Sequence, residues 1–181
     1  YTSHAGLRRS YHAIRQPLGD AGIVVIGQGL DGPRHHLVET LRRGDHPTVL
    51  LGTRSMWEGI DVPGEALSVV VIARLPFDVP TDPVFQARAE RFDDGFLQYA
   101  VPQSVLRFRQ GLGRLIRGSR DRGVAVILDS RFHGRGYGQL FQEALPDCAT
   151  SSASRTDVAA IARDFLERDE GAESTSRSAL V

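Results

Sequence analysis

The chain has 181 residues, of which 41% are hydrophobic and 24% charged, proportions that are typical of an ordinary globular protein. This length fits one α/β domain better than two. The sequence has no run of about 18 apolar residues and no signal-peptide pattern at its start, so we expect a cytoplasmic protein without a membrane partner. Cys148 is the only cysteine, which excludes an internal disulfide and a four-cysteine metal site within this sequence.

Apolar runs rich in β-branched residues alternate with stretches of helical period, which predicts a parallel sheet covered by helices. Tyr1–His4 is expected to be the tail of a strand whose beginning was cut away. The other strands are predicted at Ile23–Ile26, Thr48–Leu51, Ser68–Ala73 and Gly123–Leu128. These four lack in-out alternation, so we expect each to be buried on both faces. The helices are predicted near residues 5–16, 33–43, 82–92, 102–117 and 155–168.

The composition divides the chain near Pro146, after which serine, alanine, threonine and acidic residues dominate. We predict one folded domain over residues 1–146. Residues 147–181 are predicted to form a short amphipathic helix followed by a disordered acidic tail from Glu170 to Val181. Because Met56 is the only methionine, we expect the sequence to begin inside a longer protein.

The net charge of zero hides a strong polarity along the chain. Residues 102–135 hold eight arginines against Asp121 and Asp129, whereas residues 55–101 hold three arginines against eight acids. Positive charge is therefore concentrated where phosphates could be bound. All 22 basic residues are arginine, so the lysine of a phosphate-binding loop is missing and nucleotide hydrolysis would need a partner domain.

The predicted helix at 102–117 has two faces of different chemistry. At about 100° per residue, Gln110, Arg114 and Arg117 share one stripe with Arg107 beside it. The opposite face is apolar and consists of Val105, Phe108, Leu112, Leu115 and Ile116. A row of guanidinium groups suits phosphoryl transfer, in which negative charge spreads over the γ-phosphate oxygens.

A solvated arginine face would explain the same period equally well. Gly111 and Gly113 favour the functional interpretation, because each costs roughly 1 kcal/mol relative to alanine inside a helix. Their presence predicts a close backbone approach or an irregular turn, neither of which a purely solvated face requires.

Four segments together resemble the motifs of superfamily 2 helicases of the DinG and XPD-like branch. Gln110–Arg117 resembles motif VI, Q-x-x-G-R-x-x-R, and Gly52–Gly64 resembles motif V. Thr2–His4 resembles the end of motif IV, and Leu75–Phe77 with Asp82–Pro83 resembles the segment between motifs V and VI. The resemblance covers roughly residues 1 to 145 and implies the second of two RecA-like α/β motor domains, truncated at its N-terminus.

The resemblance also implies roles for individual residues. Arg114 and Arg117 would be arginine fingers that reach ATP held by the first motor domain of the same polypeptide, with Mg²⁺ bridging the phosphates, and Gln110 would contact the γ-phosphate region. The nucleotide-binding residues would be Gly59, Asp61 and Gly113. The single-stranded DNA contacts would be Thr2, Ser3, Thr53, Arg54 and Ser55, and movement along DNA would be 5′→3′.

Several competing interpretations remain open. Asp61 could be an ordinary turn acid, and Trp57, although a possible stacking platform for bases, is expected to lie in the core. Gly27–Gly32 fits G-x-G-x-x-G between a strand and a helix, but the acid expected after the next strand is absent. A turn between strand and helix explains the pattern, and a dinucleotide-binding module is kept as an alternative. A non-catalytic nucleic-acid-binding or scaffold domain with a helicase-like fold is the other alternative.

Overall fold

The computed structural model describes residues 1–56, 62, 66–113, 115, 122–134, 136–167 and 178–180. The strands are β1 (Val24–Gly27), β2 (Thr48–Leu51), β3 (Val69–Ile72), β4 (Gly123–Ile127), β5 (Ala149–Thr150) and β6 (Ser178–Leu180). The helices are α1 (His4–Asp20), α2 (Arg34–Arg43), α3 (Pro83–Ala89), α4 (Val101–Leu112), α5 (Arg131–Gly134), α6 (Gly138–Glu143) and α7 (Val158–Glu167). The predicted α/β alternation is confirmed.

The described strands form two parallel sheets. In the first, β1 pairs with β2, with Val24 opposite Thr48. The second has the order β3-β4-β6-β5, and all of its recorded pairs are parallel. A cavity of about 960 Å³ lies between the edges of β2 and β3. Parallel pairing agrees with the predicted RecA-like class, although the sheets are small.

The four strands predicted after the N-terminus are found within one or two residues of their expected bounds. Their predicted burial on both faces is correct for β4, whose residues 123–126 are buried. It is wrong for β3, because Val69 and Val71 are 39% and 55% exposed and line the open cavity.

Helix α1 begins earlier than predicted, because Ser3 caps it. The Ser3 hydroxyl accepts a hydrogen bond from the amide of Gly6 at 3.1 Å, and His4 is already helical. His4 is therefore not part of a strand, although the Ser3 backbone is extended. Among the described helices, none is long and apolar enough to cross a membrane.

Helix α4 is shorter than predicted and continues a π-helical segment, Phe96–Ala100. It ends at Leu112, where the amide of Gly113 donates to the carbonyl of Arg109 at 2.9 Å. Helix α4 thus ends before the predicted residue 117, and Gly113 and Leu115 lie in turns. Of the two glycines expected to mark a close approach or an irregular turn, Gly113 lies in a turn, whereas Gly111 lies inside α4.

The apolar face of α4 forms the main core, as predicted. Phe108, Leu112 and Leu115 are buried against Phe132 and Phe141, which come from α5 and α6. Val105 packs against this core, whereas Ile116 lies outside the described residues.

The C-terminal segment contributes more structure than its composition indicates. Val158, Ala162, Phe165 and Leu166 of α7 pack on Val124 and Val126 of β4. Strand β6 pairs with both β4 and β5, and residues 168–177 and 181 of the predicted tail region lie outside the described residues.

Candidate functional site

Polar side chains gather beyond the carboxyl ends of the strands. Gln28 follows β1, Thr53 follows β2, Asp78 lies in the segment after β3, and Asp129 follows β4. Open parallel sheets place their ligands at this edge, because the loops that follow the strands meet there. The candidate site is therefore built from these loops and from α4, which packs beside them.

The loop after β2 is held by one side chain from the neighbouring strand. The side-chain oxygen of Gln28 accepts hydrogen bonds from the amide of Thr53 at 2.8 Å and from its hydroxyl at 2.9 Å. The side-chain nitrogen of Gln28, Nε2, donates to the Ser55 hydroxyl at 2.7 Å. Thr53 is 8% exposed, so these bonds satisfy polar groups that water reaches poorly. Gln28 thus fixes the shape of the loop that the sequence assigned to DNA.

Close packing beneath the same loop requires a glycine. A Cβ added at Gly52 would lie 2.7 Å from Cγ of Met56, which is itself 2% exposed. The loop therefore turns directly against the core and presents Arg54 and Ser55, both exposed, on its outer side.

The N-terminal residues assigned to DNA lie beside this loop. The backbone nitrogen of Tyr1 donates to the carbonyl of Gly52 at 2.8 Å, which places Thr2 and Ser3 next to the segment after β2. Both residues are exposed. The structure thus brings the five predicted DNA-contacting residues to one edge of the first sheet.

One carboxylate connects the loop after β2 with helix α4. Nη1 of Arg54 donates to Oδ1 of Asp78, and Nη1 of Arg107 donates to Oδ2 of the same group. The side chain of Asp78 is 12% exposed and that of Arg107 21%, whereas that of Arg54 is 46% exposed. Arg107, which the sequence placed beside the arginine stripe, is thus engaged in an ion pair, and Asp78 is a site residue that the sequence analysis missed.

The residues predicted to reach the nucleotide are only partly described. Gln110 lies near the end of α4 with an exposed side chain, and Gly113 forms the exposed turn that follows it. Arg114, Arg117, Gly59 and Asp61 lie outside the described residues, as does Trp57. Helix α4 ends at Leu112, two residues beyond Gln110.

A second acidic group holds the segment after β3. Asp129 accepts from the amide of Leu75 at 2.8 Å and from two guanidinium nitrogens of Arg131, Nε at 2.9 Å and Nη2 at 2.6 Å. Burial alone would raise the pKa of Asp129, but these hydrogen bonds outweigh burial and lower its pKa to about 2. The Arg131 guanidinium also lies 5.2 Å from the centre of the Phe77 ring. This cluster fixes the segment that leads to Asp78.

The glycine-rich loop uses its acidic side chain internally. Asp31 accepts from the amide of Gly27 and from the Tyr11 hydroxyl, both at 2.8 Å. Gly29 and Gly32 have φ values of 72° and 125°, which only glycine adopts readily. The contacts of Asp31 and the positive φ angles of these glycines explain the G-x-G-x-x-G pattern as a tight turn, without a bound dinucleotide.

Over the described part of the chain, no group of three or more histidine, cysteine, aspartate or glutamate side chains could hold a metal ion. The described donor set therefore does not fit a Mg²⁺ ion held by this chain alone.

Gln28 and Asp78 were not predicted as site residues, because each contacts residues that are distant in the sequence. Gln28 contacts Thr53, 25 residues away, and Asp78 contacts Arg54 and Arg107, 24 and 29 residues away.

Comparison with known proteins gives the family context. Residues 1–148 match the helicase C-terminal domain family. The chain is 35% identical over 164 residues to the 3'-5' exonuclease DinG of Bacillus subtilis, covering 88% of this chain and 18% of that protein. It is 38% identical over 173 residues to the ATP-dependent helicase DinG of Mycobacterium tuberculosis, covering 93% and 25%. It is 40% identical over 149 residues to the ATP-dependent DNA helicase YoaA of Escherichia coli, covering 80% and 23%. The chain thus spans a quarter or less of each relative.

Proposed function

The chain belongs to the helicase C-terminal domain family, and from this premise we propose that it is the second motor domain of a DinG-like, ATP-dependent DNA helicase. In this proposal it closes against the first motor domain of the same polypeptide and moves along single-stranded DNA in the 5′→3′ direction. The observation that carries the proposal is the loop after β2, which Gln28 holds in shape beside Thr2 and Ser3.

The DNA contacts follow from the chemistry of that edge. Backbone phosphates are bound by hydroxyl groups, backbone amides and guanidinium groups, and such contacts carry no sequence preference. Exposed Thr2, Ser3, Arg54 and Ser55 supply hydroxyls and one guanidinium, while Thr53 is buried and supports the loop from within. We therefore assign binding of the single strand to this surface.

The nucleotide contacts are assigned to the end of α4 and the segment beyond it. Hydrolysis breaks the bond between the γ-phosphorus of ATP and its bridging oxygen as water attacks, and negative charge spreads over the γ-phosphate oxygens. In the proposal, Arg114 and Arg117 stabilise this charge from across the domain boundary and Gln110 contacts the same region. Gly59, Asp61 and Gly113 are assigned to nucleotide binding in the same proposal.

The remaining parts of the reaction are assigned to the first motor domain. The phosphate-binding lysine cannot come from this chain, which has no lysine. A Mg²⁺ ion would be held by the ATP phosphates and by that domain. The 181-residue chain alone is accordingly expected to show no ATP hydrolysis. ATP hydrolysis by a purified preparation of this chain would contradict the assignment of these roles to the first motor domain.

The proposal is tested with the full-length protein on partial duplexes that carry a single-stranded tail. ATP-dependent strand displacement is expected with a 5′ tail and not with a 3′ tail, in parallel with DNA-stimulated release of phosphate. Tight binding of single-stranded DNA without hydrolysis would contradict the proposal and support a non-catalytic scaffold domain instead.

A further inference from the structure

Asp78 joins two surfaces to which the proposed function gives different tasks. Arg54 lies on the loop after β2, which is the proposed DNA-binding loop. Arg107 lies on α4, whose end leads to the residues proposed to contact the nucleotide. Each guanidinium takes one oxygen of the same carboxylate. Whatever changes the pairing of Arg54 therefore changes the electrostatic environment of Arg107 as well.

The two arginines differ in how easily they can leave the carboxylate. The side chain of Arg54 is 46% exposed and can turn toward a ligand, whereas that of Arg107 is 21% exposed and lies beside Phe108, which is fully buried. A DNA phosphate is an anion that competes with Asp78 for the exposed guanidinium, because both offer the oxygen pair that suits its fork. Arg107 remains as the partner of Asp78 when Arg54 turns away.

Helix α4 connects the ion pair of Arg107 with the residues proposed to contact the nucleotide. Gln110 lies three residues beyond Arg107, which is about 4.5 Å of helical rise. Phe108 and Leu112 anchor the helix in the core, so it moves as a unit rather than residue by residue. A tighter Asp78–Arg107 pair thus acts on the same rigid element that presents Gln110.

We propose that Asp78 is a positioning residue that couples occupancy of the DNA-binding loop to helix α4 by sharing its carboxylate between Arg54 and Arg107. This inference rests on the proposed function, since it needs DNA at Arg54 and ATP beyond Gln110. It assigns Asp78 no contact with substrate.

The test compares Asp78→Asn with Asp93→Asn in the full-length protein, because Asp93 is an exposed acid whose substitution removes the same charge. Two quantities are measured: the ratio of ATPase rate with saturating single-stranded DNA to the rate without DNA, and the dissociation constant for the same DNA without nucleotide. Asp78→Asn is expected to lower the ratio about tenfold, within the range of roughly 5- to 150-fold for coupling between two sites. DNA affinity is expected to stay equal or increase, because Arg54 no longer has a competing carboxylate.

A salt series adds a readout that separates coupling from a structural role. The slope of log affinity against log salt is expected to be the same in Asp78→Asn as in the wild-type protein, because Arg54 contacts a phosphate in both, whereas structural loss of that contact would lower the slope by about 0.7. An unchanged ratio, or a loss of ratio and affinity together with a lowered melting temperature, would overturn the coupling role. If the wild-type protein shows no stimulation by DNA, the proposed function itself fails, which is a different result.

Arg107→Gln provides the second variant if Asp78→Asn does not fold. It leaves the Asp78–Arg54 pair in place, so the stimulation ratio is expected to fall about tenfold with an unchanged salt slope. Retention of the wild-type ratio in this variant would also overturn the proposal.

Discussion

The side-chain oxygen of Gln28 accepts two hydrogen bonds from Thr53, one from its backbone amide and one from its hydroxyl. This contact ties the end of one strand to the loop after the next, and the third bond of Gln28 extends the connection to Ser55. The loop is therefore ordered before any ligand arrives. A preformed loop lowers the entropy cost of binding, since its residues are already fixed.

Replacement of Gln28 by leucine is expected to weaken binding of single-stranded DNA by the full-length protein. Fixing one loop residue costs roughly 1–2 kcal/mol, so affinity should fall about tenfold when the loop must be ordered on binding. Gln16→Leu is the matched control, because Gln16 is exposed on α1 and its side chain donates to Asp20, not to a loop beside the site. Equal affinities of the two variants in a fluorescence titration would show that Gln28 does not shape a DNA-binding loop.

Asp129 is expected to make the stability of the chain sensitive to acid. Its pKa is lowered from 3.8 to about 2, so its contribution is fully present above about pH 4 and is lost as the pH falls through 2. This shift corresponds to about 2 kcal/mol, and the side chain is 7% exposed, so solvent screening is small. Urea unfolding of Asp129→Asn at pH 7 should reveal that loss and a flatter dependence on pH between 4 and 2.

Asp147→Asn is the control for this measurement, because Asp147 is exposed and its substitution removes the same charge. It should leave both the free energy of unfolding and its acid dependence close to those of the wild-type chain. A wild-type-like profile for Asp129→Asn would instead show that the bonds to Leu75 and Arg131 contribute nothing net.

Ser104 is expected to be a position where removal of a polar group increases stability. Its hydroxyl is fully buried in α4 and has no hydrogen-bond partner among the described residues. An unsatisfied buried hydroxyl costs about 1–3 kcal/mol, so Ser104→Ala should raise the free energy of unfolding by about 1 kcal/mol more than Ser10→Ala on α1 does. Ser10→Ala measures the helix preference of alanine over serine, which is then subtracted from the effect at Ser104. A smaller gain at Ser104 than at Ser10 would mean that its hydroxyl is satisfied in solution.

The sequence predicted features that depend on neighbouring residues along the chain. The four strands follow from apolar runs rich in β-branched residues, and the apolar face of α4 follows from helical periodicity. Thr53 lies in a loop after β2 as expected, and Arg54 and Ser55 lie in the 3-10 turn that follows it. The exposure of Val71 was not predictable, because it depends on a cavity between β2 and β3 and not on the strand itself. The end of α4 at Leu112 was missed because the apolar pattern continues to Leu115, which is buried in a turn.

Candidate site residues could be proposed from their types, but the contacts between them could not. Thr53, Arg54 and Ser55 could be assigned from their motif, but nothing in their spacing indicates Gln28 or Asp78 as partners. Such contacts form only when the sheets bring distant loops to one edge. The positions of Arg114, Arg117, Gly59 and Asp61 lie outside the described residues, so their roles stay predictions.

The central claim is that this domain supplies arginines to ATP bound by its neighbour, and its most direct test is the DNA-stimulated ATPase rate of full-length Arg117→Ala beside Arg109→Ala. Arg109 is exposed on α4 and carries the same charge, so it controls for the loss of one cation. The account predicts a loss of roughly 10³-fold for Arg117→Ala with DNA binding retained, and a near wild-type rate for Arg109→Ala. Undiminished turnover by Arg117→Ala would contradict it.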